Sequence, residues 1–188
     1  GIVMPLVLVV DDVKTLADQY AYDLKRLAGY ATRVATSGKE ALDILTMEPV
    51  DCMILDLEMP GMDGFEVLRR IKKDGFDVPV IVYTGTGNYD RCVQAIKLGA
   101  FSFIDKAESM ERVAHEVANA IERARLKAEV ESLRRDAGVE SSLVGGGDAM
   151  RALESQIARV APIPSAVLIV GESGTGKELV AHELHKRS

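Results

Sequence analysis

The chain has 188 residues, 47% of them hydrophobic and 28% charged, with a formal net charge of −6. That length holds one full domain and part of a second, and the acidic balance argues against a general basic field for gripping nucleic acid. No run approaches the roughly 18 apolar residues of a membrane span, the N-terminus lacks a signal-peptide layout, and Cys52 and Cys92 read as packing thiols of a cytoplasmic protein.

From residue 5 to about 120 the pattern alternates strand and helix five times. Short apolar runs such as Val7–Val10, Cys52–Leu55, Val80–Tyr83 and Phe101–Ile104 predict parallel strands near 6–10, 31–35, 51–56, 79–83 and 101–104. Helices are expected near 14–28, 38–47, 64–73 and 89–98, and from 109 onward. Ser37 and Asp63 stand where N-caps belong, and Gly29, Gly75 and Gly99 where helices should stop. The class is α/β.

The fifth helix runs on. From Glu122 to Asp136 nine of fifteen residues are charged, with no Gly or Pro. Apolar positions recur at Val113, Val117, Ile121, Ala124 and Ala128, then restart two residues out of step at Leu126, Val130, Leu133 and Ala137. A solvated single helix would explain the charge. A short dimerising coiled coil also explains why the stripe outlasts the first domain's core, and a homodimer through this helix, with the face formed by the fourth helix, last strand and fifth helix, is expected.

Gly138 and Gly145–Gly147 mark a break. Asp148 can cap a helix over about 149–160, which Pro162 and Pro164 end. A further apolar run, Val167–Val170, leads into Gly171-Glu-Ser-Gly174-Thr-Gly176-Lys177 and a helix to His185. Strand, glycine-rich loop and helix form the context of a phosphate-cradling loop, with Glu178 where Ser or Thr usually holds Mg²⁺. His182 and His185 read as a solvated helix face rather than a metal pair. The division expected is 1–120, 121–141 and 142–188.

Chemistry concentrates at the strand ends. Asp11 and Asp12, Asp56, Thr84 and Lys106 each follow an apolar run. In parallel sheets the ligand crevice lies beyond the carboxyl ends, where strand order reverses, so three carboxylates, a hydroxyl and an amine should converge. Such carboxylates repel unless a cation intervenes. Mg²⁺ suits them, taking a few oxygens at ~2.0–2.1 Å and keeping several waters. Asp12 and Asp56 are expected as direct ligands, Asp11 directly or through water, and the Glu58 carbonyl as a further oxygen. Asp56 is the expected nucleophile, with a free oxygen facing an in-line phosphoryl group. Lys106 would neutralise phosphoryl charge, and Thr84 would donate to a phosphoryl oxygen once the adduct forms. One acid at a strand end is ordinary solvated loop; the matching set at four strand ends carries the reading.

Val9-Val-Asp-Asp12, Ile54-Leu-Asp-Leu-Glu-Met-Pro-Gly-Met-Asp-Gly64, Tyr83-Thr84 and Phe103-Ile-Asp-Lys106 together resemble the receiver domain of a two-component response regulator. The resemblance implies a doubly wound five-stranded parallel sheet of flavodoxin-like order 2-1-3-4-5. It also implies phosphorylation of Asp56 by a histidine kinase, spontaneous hydrolysis of the aspartyl phosphate, and a switch in which Thr84 and Phe103 rearrange together. An aromatic on a strand is otherwise plain core.

The segment Val170 to Val180 with Ala181, His182 and His185 resembles the opening of the AAA+ domain of NtrC-like, sigma-54-dependent activators, in which Glu at position 178 is normal. It implies ATP binding only for the complete AAA+ domain, and contacts with sigma-54 RNA polymerase and DNA through parts absent from this chain. Two features depart from the receiver pattern. Ala107 follows Lys106 where the family has a cis proline, and a cis bond before Ala costs about 3–4 kcal/mol, so a trans bond is expected. Thr84 is followed by Gly85-Thr-Gly87, which should make the switch loop pliant.

Two rival functions share the residues. A phosphohydrolase with an aspartyl intermediate places a second acid two residues after its nucleophile, a spacing Glu58 matches. A pseudo-receiver would serve only as a dimerising scaffold.

Overall fold

The computed structural model describes residues 3–138. The expected linker residues 139–141, the segment 142–188 and its candidate nucleotide loop (Gly171, Gly174, Gly176, Lys177 and Glu178) lie outside the described residues.

Five parallel strands form the sheet: β1 (Leu6–Val10), β2 (Ala31–Ala35), β3 (Cys52–Leu55), β4 (Val80–Thr84) and β5 (Ser102–Asp105), ordered β2-β1-β3-β4-β5. Between them run α1 (Lys14–Ala28), α2 (Gly38–Met47), α3 (Gly64–Lys73) and α4 (Tyr89–Lys97), and α5 (Met110–Asp136) follows. The doubly wound architecture is therefore present. Successive strand side chains point to opposite faces. Leu8, Val10, Met53, Leu55, Val80, Val82 and Phe103 meet α2, α3 and α4, whereas Val7, Val9, Cys52, Ile54, Ile81, Tyr83 and Ile104 meet α1 and α5. Covering both faces is why these strands read as continuous apolar runs rather than alternating ones. Each Val, Leu or Ile buried this way contributes about 1.5–3 kcal/mol before chain entropy is counted.

The expected caps are in place. Ser37 Oγ accepts from the Glu40 N–H at 3.1 Å and Asp63 Oδ1 from the Glu66 N–H at 2.9 Å. Gly29 closes α1 with φ 73°, a left-handed conformation that costs glycine little. The Lys106–Ala107 peptide is trans.

α5 changes character along its length. Val113, Val117 and Ala120 are buried against the sheet. Beyond Glu122 the helix leaves the core, with Leu126, Val130 and Leu133 45%, 46% and 60% exposed. Arg125 bridges Glu122 at 2.7 Å and Glu129 at 3.2 Å on this stretch.

Candidate phosphoacceptor site

Parallel register brings the strand ends to one edge. Val10 pairs with Leu55, Leu55 with Val82, and Thr84 with Asp105. The ladder continues one residue further at each functional position: Asp11 N–H donates to the Ala35 carbonyl (3.1 Å), Asp56 N–H to Val10 (3.0 Å) and Lys106 N–H to Thr84 (3.0 Å). Chain order reverses between β1 and β3, the neighbours that carry Asp11 and Asp56.

The side chains meet there. Lys106 Nζ donates to Asp11 Oδ2 at 2.6 Å and to Asp56 Oδ2 at 3.1 Å. Asp56 Oδ1 accepts from Thr84 Oγ1 at 3.0 Å and from the Glu58 N–H at 3.2 Å. Thr84 spends its single proton on Asp56, so Thr86 Oγ1, 3.1 Å away, is the donor in the hydroxyl pair. Asp11, Asp56 and Thr84 are buried, and Asp12 is exposed at the rim. Burial works against the Lys106 charge, but its hydrogen bonds and attraction to the two aspartates outweigh that, and its pKa is raised. Lys106 is therefore a fixed cation at neutral pH.

One oxygen of each of Asp11, Asp12 and Asp56 lies within 4.8 Å of the others. Three carboxylate oxygens with a solvent-exposed side at Asp12 fit a hard cation that retains waters, which is Mg²⁺ chemistry. The Glu58 side chain is not in this cluster: its Oε1 pairs with Arg91 Nη2 at 2.7 Å. Nor does Asp56 keep a wholly free oxygen, since Oδ1 accepts two hydrogen bonds and Oδ2 one. Oδ2, with a single hydrogen bond, retains acceptor capacity.

Phe103 is fully buried in the core. Its ring also closes on the β4–α4 loop, where a Cβ on Gly87 would stand 2.8 Å from the Phe103 Cε1. The core position and the loop contact coexist at this residue.

Sequence reasoning missed several neighbours of the site. The Tyr83 hydroxyl donates to the Glu108 carbonyl at 2.9 Å and lies 3.4 Å from that of Lys106, anchoring the loop that lacks proline. Tyr20 packs edge-on against Tyr83 with centroids 5.2 Å apart, and Lys106 Nζ lies 5.8 Å from the Tyr20 ring centroid. Thr86 and Arg91 complete the set. Only the alternation of Tyr83 toward the α1 and α5 face was available as a signal, and it says nothing about what a hydroxyl reaches.

The family described as response regulator receiver domain matches residues 7–118, and the sigma-54 interaction domain matches residues 143–188. The chain is 37% identical over 187 residues to the C4-dicarboxylate transport transcriptional regulatory protein DctD of Rhizobium meliloti, covering 98% of this chain and 40% of that protein. The structure of NtrX from Brucella abortus in complex with ADP matches with TM-score 0.67 and 36% identity, over 99% of this chain and 42% of that one. A response regulator receiver domain protein from Clostridium thermocellum matches with TM-score 0.61 and 33% identity, over 65% of this chain and 98% of that one. The chain thus spans about 40% of the length of the first curated relative.

Proposed function

Because this chain belongs to the response regulator receiver family, with sigma-54 activators among its relatives, we propose that Asp56 accepts a phosphoryl group from a histidine kinase. The observation that carries the proposal is the Asp56 carboxylate, held by Lys106 on one oxygen and by Thr84 on the other.

An Asp56 oxygen bonds to phosphorus as the phosphorus–nitrogen bond of a phosphohistidine breaks, its electron pair staying with the imidazole. Lys106 neutralises negative charge on the phosphoryl oxygens. Thr84 turns its hydroxyl from Asp56 Oδ1 to a phosphoryl oxygen, and the Thr86 hydroxyl that now points at Thr84 follows. Phe103, packed on Gly87 of the same loop, senses that movement. Asp12 and Asp56, with Asp11 directly or through water and the Glu58 carbonyl, would hold Mg²⁺, which would supply further neutralisation of phosphoryl charge. The domain ends proposed are 120 for the receiver and 141 for the helical linker, with the start of the AAA+ module beyond.

The output is a change in a homodimer built on α5 and its exposed stripe, controlling an attached AAA+ activator. ATP, sigma-54 RNA polymerase and DNA belong to the complete module. Incubation with acetyl phosphate, with and without Mg²⁺, tests the acceptor step. Mg²⁺-dependent addition of one phosphoryl group to the parent chain supports it. No addition at all would favour the scaffold reading.

A further inference from the structure

Glu58 stands two residues beyond Asp56, the spacing at which phosphohydrolases with an aspartyl intermediate carry a second acid. Its backbone N–H donates to Asp56 Oδ1 at 3.2 Å, which places the residue beside that carboxylate. The carboxylate is nevertheless turned away, onto Arg91 at 2.7 Å. Arg91 is the better anchored partner. It sits in the first turn of α4, where Asn88 Oδ1 caps its N–H at 2.9 Å. Its guanidinium lies 5.2 Å from the ring centroid of Phe65, itself buried in the first turn of α3. The Arg91 side chain is 29% exposed and that of Glu58 56%, so the cation is fixed and the carboxylate is the group being held.

We propose that Arg91 is a positioning residue that withholds the Glu58 carboxylate from the phosphoryl group on Asp56 and thereby lengthens the life of the aspartyl phosphate. The proposal rests on Asp56 being the acceptor. In hydrolysis a water oxygen bonds to phosphorus and the bond from phosphorus to the Asp56 oxygen breaks, its electron pair returning to the carboxylate. One water proton stays on the released phosphate and the other passes to solvent. A carboxylate accepting a hydrogen bond from that water would orient it for in-line attack. Tied to Arg91, Glu58 does not reach it. The pair thus separates a switch, which must store its phosphoryl group, from a hydrolase, which must release it.

The test follows loss of label from the full chain after acetyl phosphate is removed, with Mg²⁺ present throughout. Arg91→Ala is expected to shorten the half-life about tenfold, below the ~10²-fold that a dedicated acid–base group supplies. Adding Glu58→Gln to Arg91→Ala should restore the half-life to within about twofold of the parent, because Gln is a poorer acceptor for the water. Arg91→Gln, which keeps much of the length but loses the charge that holds Glu58, should shorten the half-life likewise and serves if the alanine variant unfolds. An unchanged half-life in both Arg91 variants would overturn the proposal. So would an acceleration that survives Glu58→Gln, which would place the effect in α4 itself. A parent chain that takes no label overturns the acceptor reading and this inference together, whereas a labelled parent with an indifferent Arg91 overturns only the latter.

Discussion

Asp56 is held from both sides, with hydrogen bonds to each of its carboxylate oxygens. Lys106, Thr84 and the Glu58 N–H fix its carboxylate, and a carboxylate held in this way needs little rearrangement to act as the proposed nucleophile. Asp56→Asn keeps the volume and loses the nucleophilic oxygen; the variant should fold, by circular dichroism, and take up no label. Tyr83 acts one step back, through the carbonyls of Glu108 and Lys106. Tyr83→Phe should cost about 0.5–1.5 kcal/mol of stability by denaturant unfolding and slow label uptake, because the Lys106 loop loses its anchor. Burial pushes the Tyr83 hydroxyl from 10.0 up to about 12. A raised folded-state pKa contributes stability below the unfolded value that is lost as pH climbs through the folded one. The parent should therefore lose more stability between pH 10 and pH 12 than Tyr83→Phe does, and equal losses would contradict this placement of the hydroxyl.

Helix α3 begins where the Asp56 loop needs room. A Cβ on Gly64 would stand 2.6 Å from the Asp56 carbonyl oxygen, a backbone atom that cannot swing aside. Gly64→Ala should cost about 1–3 kcal/mol in thermal or denaturant unfolding and disturb label uptake with it. The exposed stretch of α5 makes the opposite demand, for cover. Its ion pairs on Arg125 are solvent-exposed and screened, so they add little to the helix. Leu126, Val130 and Leu133 need burial that the receiver does not supply. A chain cut after residue 120 should be mainly monomeric by sedimentation and still accept label; a dimer as stable as the parent's would shift the interface off the helix.

Local chemistry explains what was legible. Short β-branched runs, Ser37 and Asp63 at caps and Gly29 at a stop are decided by neighbours in sequence, and the elements fall within a residue or two of expectation. Asp11, Asp56, Thr84 and Lys106 were legible as a set because parallel strands deliver their ends to one edge. The pairing of Glu58 with Arg91 was not. Their pairing joins the β3–α3 loop to α4 across 33 residues, and no spacing rule within either element points to the other.

At the scale of the molecule, one sheet separates two helical layers, and its carboxyl edge gathers the side chains on which the proposed phosphoryl acceptance depends. Asp56 and Thr84 lie at that edge, Phe103 links the Thr84 loop to the α2–α4 face, and Val113 and Val117 of α5 pack on the other. On the proposed reading, a movement of the loop after β4 would meet the Phe103 ring first, since that ring packs on Gly87. The central claim is that Asp56 is the acceptor, and the most direct measurement is intact mass after acetyl phosphate with Mg²⁺, followed by mapping of the modified peptide. The account predicts one added phosphoryl group on the segment containing Asp56, absent without Mg²⁺ and absent from Asp56→Asn. A phosphoryl group mapped to another residue, or retained in Asp56→Asn, would contradict it.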